Sequence, residues 1–240
     1  MTLSEVRNLF IEISGRNDLL QAGTAVGADF FINAGCRELD RRLFGGKGEG
    51  SYLVDLDAEQ IVIPIPNCRV VRKVEVYNTS EKIKLEKADS LQEMKDYYDE
   101  PKASKTAGTP YVFYPISARP FPNVLVASNY NQTWVLEDII EDGHENFSAI
   151  IISPPPDLAT YTIRVDGLFY SDELQNDGDY NFWTINEPLS VVHAAMFKLE
   201  QTYRNVEGAK EWGVAIDSIL TPMNMDIVEE EIEELTEMEG

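Results

Sequence analysis

Apolar positions change period twice along this chain, from helical to alternating and back. In TLSEVRNLFIEIS (2–14), Val6, Leu9, Phe10 and Ile13 recur at helical spacing, and Thr2 with Glu5 has the spacing of a capping box at the start. A Gly/Asn-containing break, GRNDLLQAG, precedes a second predicted helix, TAVGADFFINAGCRELDRRLF (24–44). Its Ala28, Phe31, Ile32, Gly35, Leu39 and Leu43 fall on one face, with Asp29, Arg37, Glu38, Asp40 and Arg41 mostly off it. GGKGEG ends that helix. From Ser51 the period becomes two: SYLVDLD, QIVIPIP, CRVVRKVEVYN, EKIKLEK, PYVFYPI, NVLVAS, SAIIIS and ATYTIRVDGLFY read as strands separated by turn residues, with PPPD a stiff turn before the last. A short helix over SLQEMKDYYDE, capped by Asp89 with Gln92, and the loop PKASKTAGTP interrupt them, and residues 128–147 have the look of an insertion.

Helical spacing returns near Asn186, which is placed to cap, with Pro188 tolerated in the first turn. Val192, Ala195, Met196, Leu199 and Tyr203 form the core stripe of this helix, and a further helix, AKEWGVAIDSIL, is expected to stop at Thr221-Pro222. The predicted fold is α+β: a helical body from the N- and C-terminal helices, an inserted antiparallel β lobe, and an extended C-terminal tail. The expected divisions are 1–50 for the first helices, 51–175 for the lobe, 176–221 for the closing helices and 222–240 for the tail.

Composition narrows the function classes. The 240 residues suffice for a substantial core, and no apolar run approaches the ~20 residues that span a bilayer. The first residues do not read as a secretory leader. Two cysteines, Cys36 and Cys68, cannot build a disulfide framework or a complete cysteine zinc site; they are expected as small buried hydrophobes in a reducing compartment. Net charge is −22, from 42 acidic and 20 basic residues, so the chain repels nucleic acid on average. Such charge serves solubility or a saline habitat, and it equally suits a surface along which DNA slides without being held.

The motifs that touch on chemistry dissolve on inspection. FGGKGEGS lacks P-loop spacing and follows a helix where a strand is needed. Asp55 and Asp57 in DLDAE alternate along a strand with no further identified metal ligand. In ELQNDGDYNFWT a calcium-loop register puts Glu173, Gln175 and Asp177 on ligand positions, but Thr184 stands where a bidentate Glu is required. His144 sits in a polar loop. His193 lies on a helix beside Phe197, Glu200 and Arg204, a second stripe off the core face where Glu200 and Arg204 could pair. With no nucleophile or orienting acid in recognisable context, this stripe reads as a subunit interface rather than a catalytic site. No catalytic, cofactor or metal residue is predicted.

The tail combines eight carboxylates between Asp226 and Glu239, and no base, with Met223, Met225, Ile227, Val228, Ile232, Leu235 and Met238. It reads either as a disordered solvated end or as a docking segment that orders on a partner.

ADFFINAGCRELDRRL, GTPYVFYPI, IIISPPPDLATYTIRVDGLFY and NFWTINEPLSVVHAAMFKLEQTYRNVEGAKEW, in that order, resemble the head-to-tail adaptor (connector) proteins of tailed bacteriophages, of the gateway or tail-tubular kind. The resemblance implies a non-enzymatic virion protein in a ring, usually of twelve copies, beneath the portal in the particle neck, assembled in the host cytoplasm. It implies a portal partner for Met223, Met225, Ile227, Val228, Ile232 and Leu235, a tail or nozzle protein below, and DNA passing through the lumen unbound, with no membrane involved. Residues 128–147 depart from that pattern. Two other classes stay open: a receptor- or glycan-binding virion protein using the aromatics of PYVFYPISARPFPN, and a small metal-dependent hydrolase using acids such as Asp55.

Overall fold

Helix α1 (Leu3–Ser14) begins with the predicted capping box: Thr2 Oγ1 accepts from Glu5 N–H while the Glu5 carboxylate accepts from Thr2 N–H. It ends at Gly15, whose φ of +66° is the left-handed conformation that glycine adopts without strain. The computed structural model describes residues 1–20, 27–43, 48–78, 81–90, 93–94, 107–117, 148–157 and 160–238, with backbone alone for Leu20 and 226–238. The predicted strand NVLVAS, the 128–147 segment, His144 and most of the SLQEMKDYYDE helix lie outside the described residues. The fold is mixed α+β, 44% helix and 27% strand, and divides into two units, residues 1–48 with 170–240 and residues 49–169.

The first unit is helical. After a 3-10 turn (Asn17–Leu20) come α2 (Ala28–Arg42), α3 (Phe182–Asn186), α4 (Pro188–Thr202) and α5 (Val206–Met238). The six apolar-face residues expected on the second helix are all buried. Gly35 sits against the α4 backbone: a Cβ there would lie 2.8 Å from Ala195 N and 3.0 Å from the Ala194 carbonyl carbon. Phe10, Phe31, Ile32, Leu39, Val192, Ala195, Leu199, Ile216 and Leu220 share one core with Trp183.

Three helix-boundary expectations are corrected. Glu187, and not Asn186, precedes α4; Asn186 closes α3, and Pro188 takes the first turn of α4 as expected. Helix α4 ends at Thr202, so Arg204, at φ +59°, lies beyond it and cannot pair with Glu200 along one helix. Helix α5 does not stop at Thr221-Pro222. It starts at Val206, where Asn205 Oδ1 accepts from Gly208 N–H, and runs through Pro222 to Met238. A proline inside a helix costs about 3 kcal/mol. Leu220 and Met223 pack on the core on either side of it, and the strong helix formers beyond favour continuation.

The second unit is built from strands β1 (Glu49–Asp55), β2 (Val62–Pro64), β3 (Cys68–Tyr77), β4 (Lys82–Lys84), β5 (Glu86–Lys87), β6 (Val112–Ser117), β7 (Ser148–Ser153) and β8 (Thr162–Phe169). They form two four-stranded sheets, ordered β1-β8-β3-β4 and β2-β7-β6-β5. Every pairing is antiparallel except the short β5–β6 pair, which is parallel and departs from the expected all-antiparallel lobe. Ile63, Ile65, Val74, Val76, Phe113, Ile150, Ile152, Ile163 and Val165 supply one core from both sheets.

Polar residues occupy the alternate positions of β8 and β3. Arg164 Nε donates to Asp166 at 2.7 Å, and Ser51 and Thr162 bond to Asp166 and Asp55. Glu75 is 2% exposed, yet it meets Lys73 at 2.5 Å, Lys82 at 3.0 Å and the Tyr77 hydroxyl at 2.9 Å. The bond from Lys73, then those from Lys82 and Tyr77, hold its carboxyl down to about 2 against the opposing effect of desolvation.

Two predictions follow from this packing. Gly35→Ala pushes a methyl group into the α4 backbone and should lower unfolding free energy in urea by about 1–3 kcal/mol. Because the folded-state value of Glu75 lies below the ordinary 4.5, its stabilising contribution is full above that pH and disappears as pH falls toward 2. Acid unfolding of Glu75→Gln should therefore lack the part of the pH dependence that wild type shows in this window.

Candidate functional site

The segment entering α3 is pinned along α2 by backbone-specific bonds. Asn33 donates from Nδ2 to Leu174 O and accepts at Oδ1 from Leu174 N–H, both at 2.9 Å. Asp179 accepts from Asn176 N–H at 2.8 Å and Gln175 N–H at 2.9 Å; these two bonds fold 175–179 into a turn and hold its carboxyl below the usual range. Helix α1 uses the same turn to satisfy its free end: Leu3 N–H donates to Asp179 O and Ser4 N–H to Asp177 O. Arg7 joins Asp29 at 2.6 Å and Asp177 at 2.8 Å, tying α1 to α2 and to the turn.

Below this turn lies a buried polar node. Trp183 is fully buried and its Nε1 donates to Asp40 Oδ1 at 2.7 Å. Ser171 donates to the same carboxylate twice, from its hydroxyl at 2.9 Å and its backbone N–H at 2.8 Å. Asn181 and Thr184, both buried, cap α3 reciprocally, and Asn181 Nδ2 lies 3.6 Å from the Cys36 sulfur. Burial pushes the Cys36 thiol up to about 12 and the Cys68 thiol to about 11, so both are buried, unreactive thiols.

With Trp183 and Thr184 turned inward, the alternate residues of this short stretch turn out. Tyr180 is 65% exposed, Ile185 and Leu189 each 54%, and Phe182 37%. Met1, also exposed, stands beside them, its ammonium donating to Thr184 O at 2.6 Å. Single exposed apolar residues are ordinary, but large ones gathered within ten residues, on a frame locked from beneath, form a ready contact surface. Covering each would contribute on the order of 1–2 kcal/mol.

The residues singled out in the sequence fall elsewhere. The flank expected to meet a neighbouring subunit is occupied by α5 of the same chain: His193 packs on Trp212 with ring centroids 5.3 Å apart, and Phe197 faces Gly213. The Arg42 guanidinium lies 5.0 Å from the Phe197 ring centre. Burial lowers the His193 pKa, and its Nδ1 is enclosed without a hydrogen-bond partner among the described residues. The Glu200 carbonyl accepts from Asn205 N–H at the α4–α5 corner, next to Arg204. Of the tail residues, Met223 packs on the helical core and Met225 is exposed. The side chains of Ile227, Val228, Ile232 and Leu235 lie outside the described residues.

The calcium-loop register is dispersed: Glu173 pairs with Arg37, Asp177 with Arg7, and Thr184 is buried in the α3 cap. Asp55 accepts from Thr162, and Asp57 N–H donates to Gln60. Among the described residues no three His, Cys, Asp or Glu side chains gather as a metal would require. A hollow of about 120 Å³ lined by Ile65, Cys68, Arg69, Pro115 and Ser148 is smaller than the roughly 300 Å³ at which small-molecule pockets begin. No described helix is long and apolar enough to cross a membrane.

The chain matches no known protein family and no curated protein. It is an α+β protein of two units, the helical one carrying an anchored apolar display.

Removal of the node's acceptor should be costly. Asp40→Ala leaves the buried Trp183 indole N–H unpaired and removes the acceptor of both partly buried Ser171 donors, and should destabilise the helical unit by about 2–3 kcal/mol. Asp40→Asn, which keeps an acceptor oxygen, should lose less, as measured by urea unfolding.

Proposed function

We propose that this chain is a structural subunit: a ring-forming adaptor that joins a portal to a tail and prolongs the DNA channel between them. The observation that carries the reading is the rigid display of Tyr180, Phe182, Ile185 and Leu189, apolar area held in place by a buried Asp40–Trp183 node. Interfaces built on preorganised side chains spend little binding energy on ordering, which suits a part repeated many times in one assembly. The ordered likeness to bacteriophage head-to-tail adaptors supplies the setting. Helix α5, continuing past the core to Met238 with acidic and apolar residues, suits docking on a portal through Met225, Val228, Ile232 and Leu235, whose spacing of three, four and three places them along one helical face. The net charge of −22 agrees with a channel wall that DNA passes without being retained.

The test is physical association. Purified protein mixed with the portal of its own phage should give a symmetric ring on the portal in electron micrographs, and truncation after Met223 should abolish binding. A chain that never joins the portal, or that labels a part of the particle other than the neck, would sink the proposal.

A further inference from the structure

The exposed side chains of Tyr180, Phe182, Ile185 and Leu189 stand in a stretch of one charge. From Ser171 to Leu189 the chain contains Asp172, Glu173, Asp177, Asp179 and Glu187, and no lysine or arginine. The segments bonded to this stretch add two acids, Glu5 and Asp29, and three cations, Arg7, Arg37 and the Met1 ammonium. Seven acids against three cations leave the surroundings of the display at −4. The cations are also engaged. Arg7 is held between Asp29 and Asp177, the Met1 ammonium donates to Thr184 O, and Arg37 lies 3.9 Å from Glu173. Glu187 stands between Ile185 and Leu189, and its side chain makes no capping bond to α4.

Large apolar side chains projecting from a rigid frame are matched by another surface, whereas a small molecule needs a concave pocket. The charge of the rim narrows which surface. Nucleic acid and anionic lipid headgroups are repelled, and so is the same face of a second copy. A surface with apolar residues of its own, flanked by lysine or arginine, is attracted on both counts. An amphipathic helix presents that combination in the least space, because long basic side chains lay their stems over apolar area and carry the charge outward to an acidic rim. We infer that the Tyr180–Phe182–Ile185–Leu189 face docks a basic amphipathic helix of another protein. This contact specifies the partner chemistry of the assembly surface proposed above and rests on that reading, but it requires neither the ring nor the portal.

The probe is a synthetic amphipathic helix of about 18 residues built from leucine and lysine, with one photoreactive leucine. Titrated into the full chain at low salt it should bind, and irradiation should crosslink it within residues 180–189. Peptides with glutamate in place of lysine, or serine in place of leucine, should bind at least about tenfold more weakly. Ile185→Asp should also weaken binding of the leucine–lysine peptide by at least about tenfold, although it adds a negative charge. Ile185 is 54% exposed, so circular dichroism should show the variant folded as wild type. Glu187→Gln should weaken binding about two- to fivefold at low salt and leave it unchanged at high salt. Val206→Asp, beyond the opposite end of α4, should bind as wild type does. Crosslinks confined to other residues, a glutamate or serine peptide that binds equally well, or an Ile185→Asp variant that binds undiminished would each overturn the basic-helix contact. Anionic vesicles captured through the same face would overturn it too. A chain that fails these tests yet forms a ring on the portal would leave the adaptor reading standing.

Discussion

The helical unit depends on one buried carboxylate. Asp40 lies on the flank of α2, and its oxygens collect the Trp183 indole N–H and two donors of Ser171. A buried carboxylate is costly unless its oxygens are hydrogen-bonded, and the indole would be orphaned without it. Each group makes the other's burial tolerable. The consequence is positional: the segment from Ser171 to Thr184 has little regular structure of its own, and this node with the paired bonds of Asn33 and Leu174 is what lays it along α2.

From that constraint the surface follows. A five-residue helix cannot be stable alone, since nucleation fixes many dihedrals for few hydrogen bonds. Helix α3 persists because Trp183 and Thr184 are sealed beneath it and Asn181 caps it. The same locking turns Phe182 and Ile185 outward. Packing is tight elsewhere too: α4 lies so close to α2 that a Cβ on Gly35 would meet its backbone, and Trp212 of α5 packs on His193. The unit thus uses one flank of α4 for its own closure and leaves Leu189 and Tyr203 at the two ends exposed.

Electrostatics operate differently in the two units. In the strand unit Glu75 gathers Lys73, Lys82 and Tyr77 into a local network that neutralises a buried acid. In the helical unit the ion pairs link separate segments: Arg7 meets Asp29 and Asp177, and Arg42 and Lys198 both meet Glu38. Partly exposed pairs of this kind each add little to stability.

Much of the framework was legible from periodicity. The capping box of α1, the buried face of α2, the Pro188 start of α4 and seven of the strand segments follow from side-chain spacing and local capping chemistry, which act over a few residues. What spacing could not reveal was set by residues distant in the chain. Asp40 reads as a solvent-facing acid until Trp183, 143 residues later, is brought beside it. His193 and Phe197 read as a free flank until α5 folds back over them. Pro222 reads as a helix stop until packing on both sides of it offsets its missing bond. Local sequence determined which elements form and which faces are apolar; the tertiary structure alone decided which of those faces are spent on the chain's own core and which stay exposed, because burial is a property of what arrives from elsewhere in the chain.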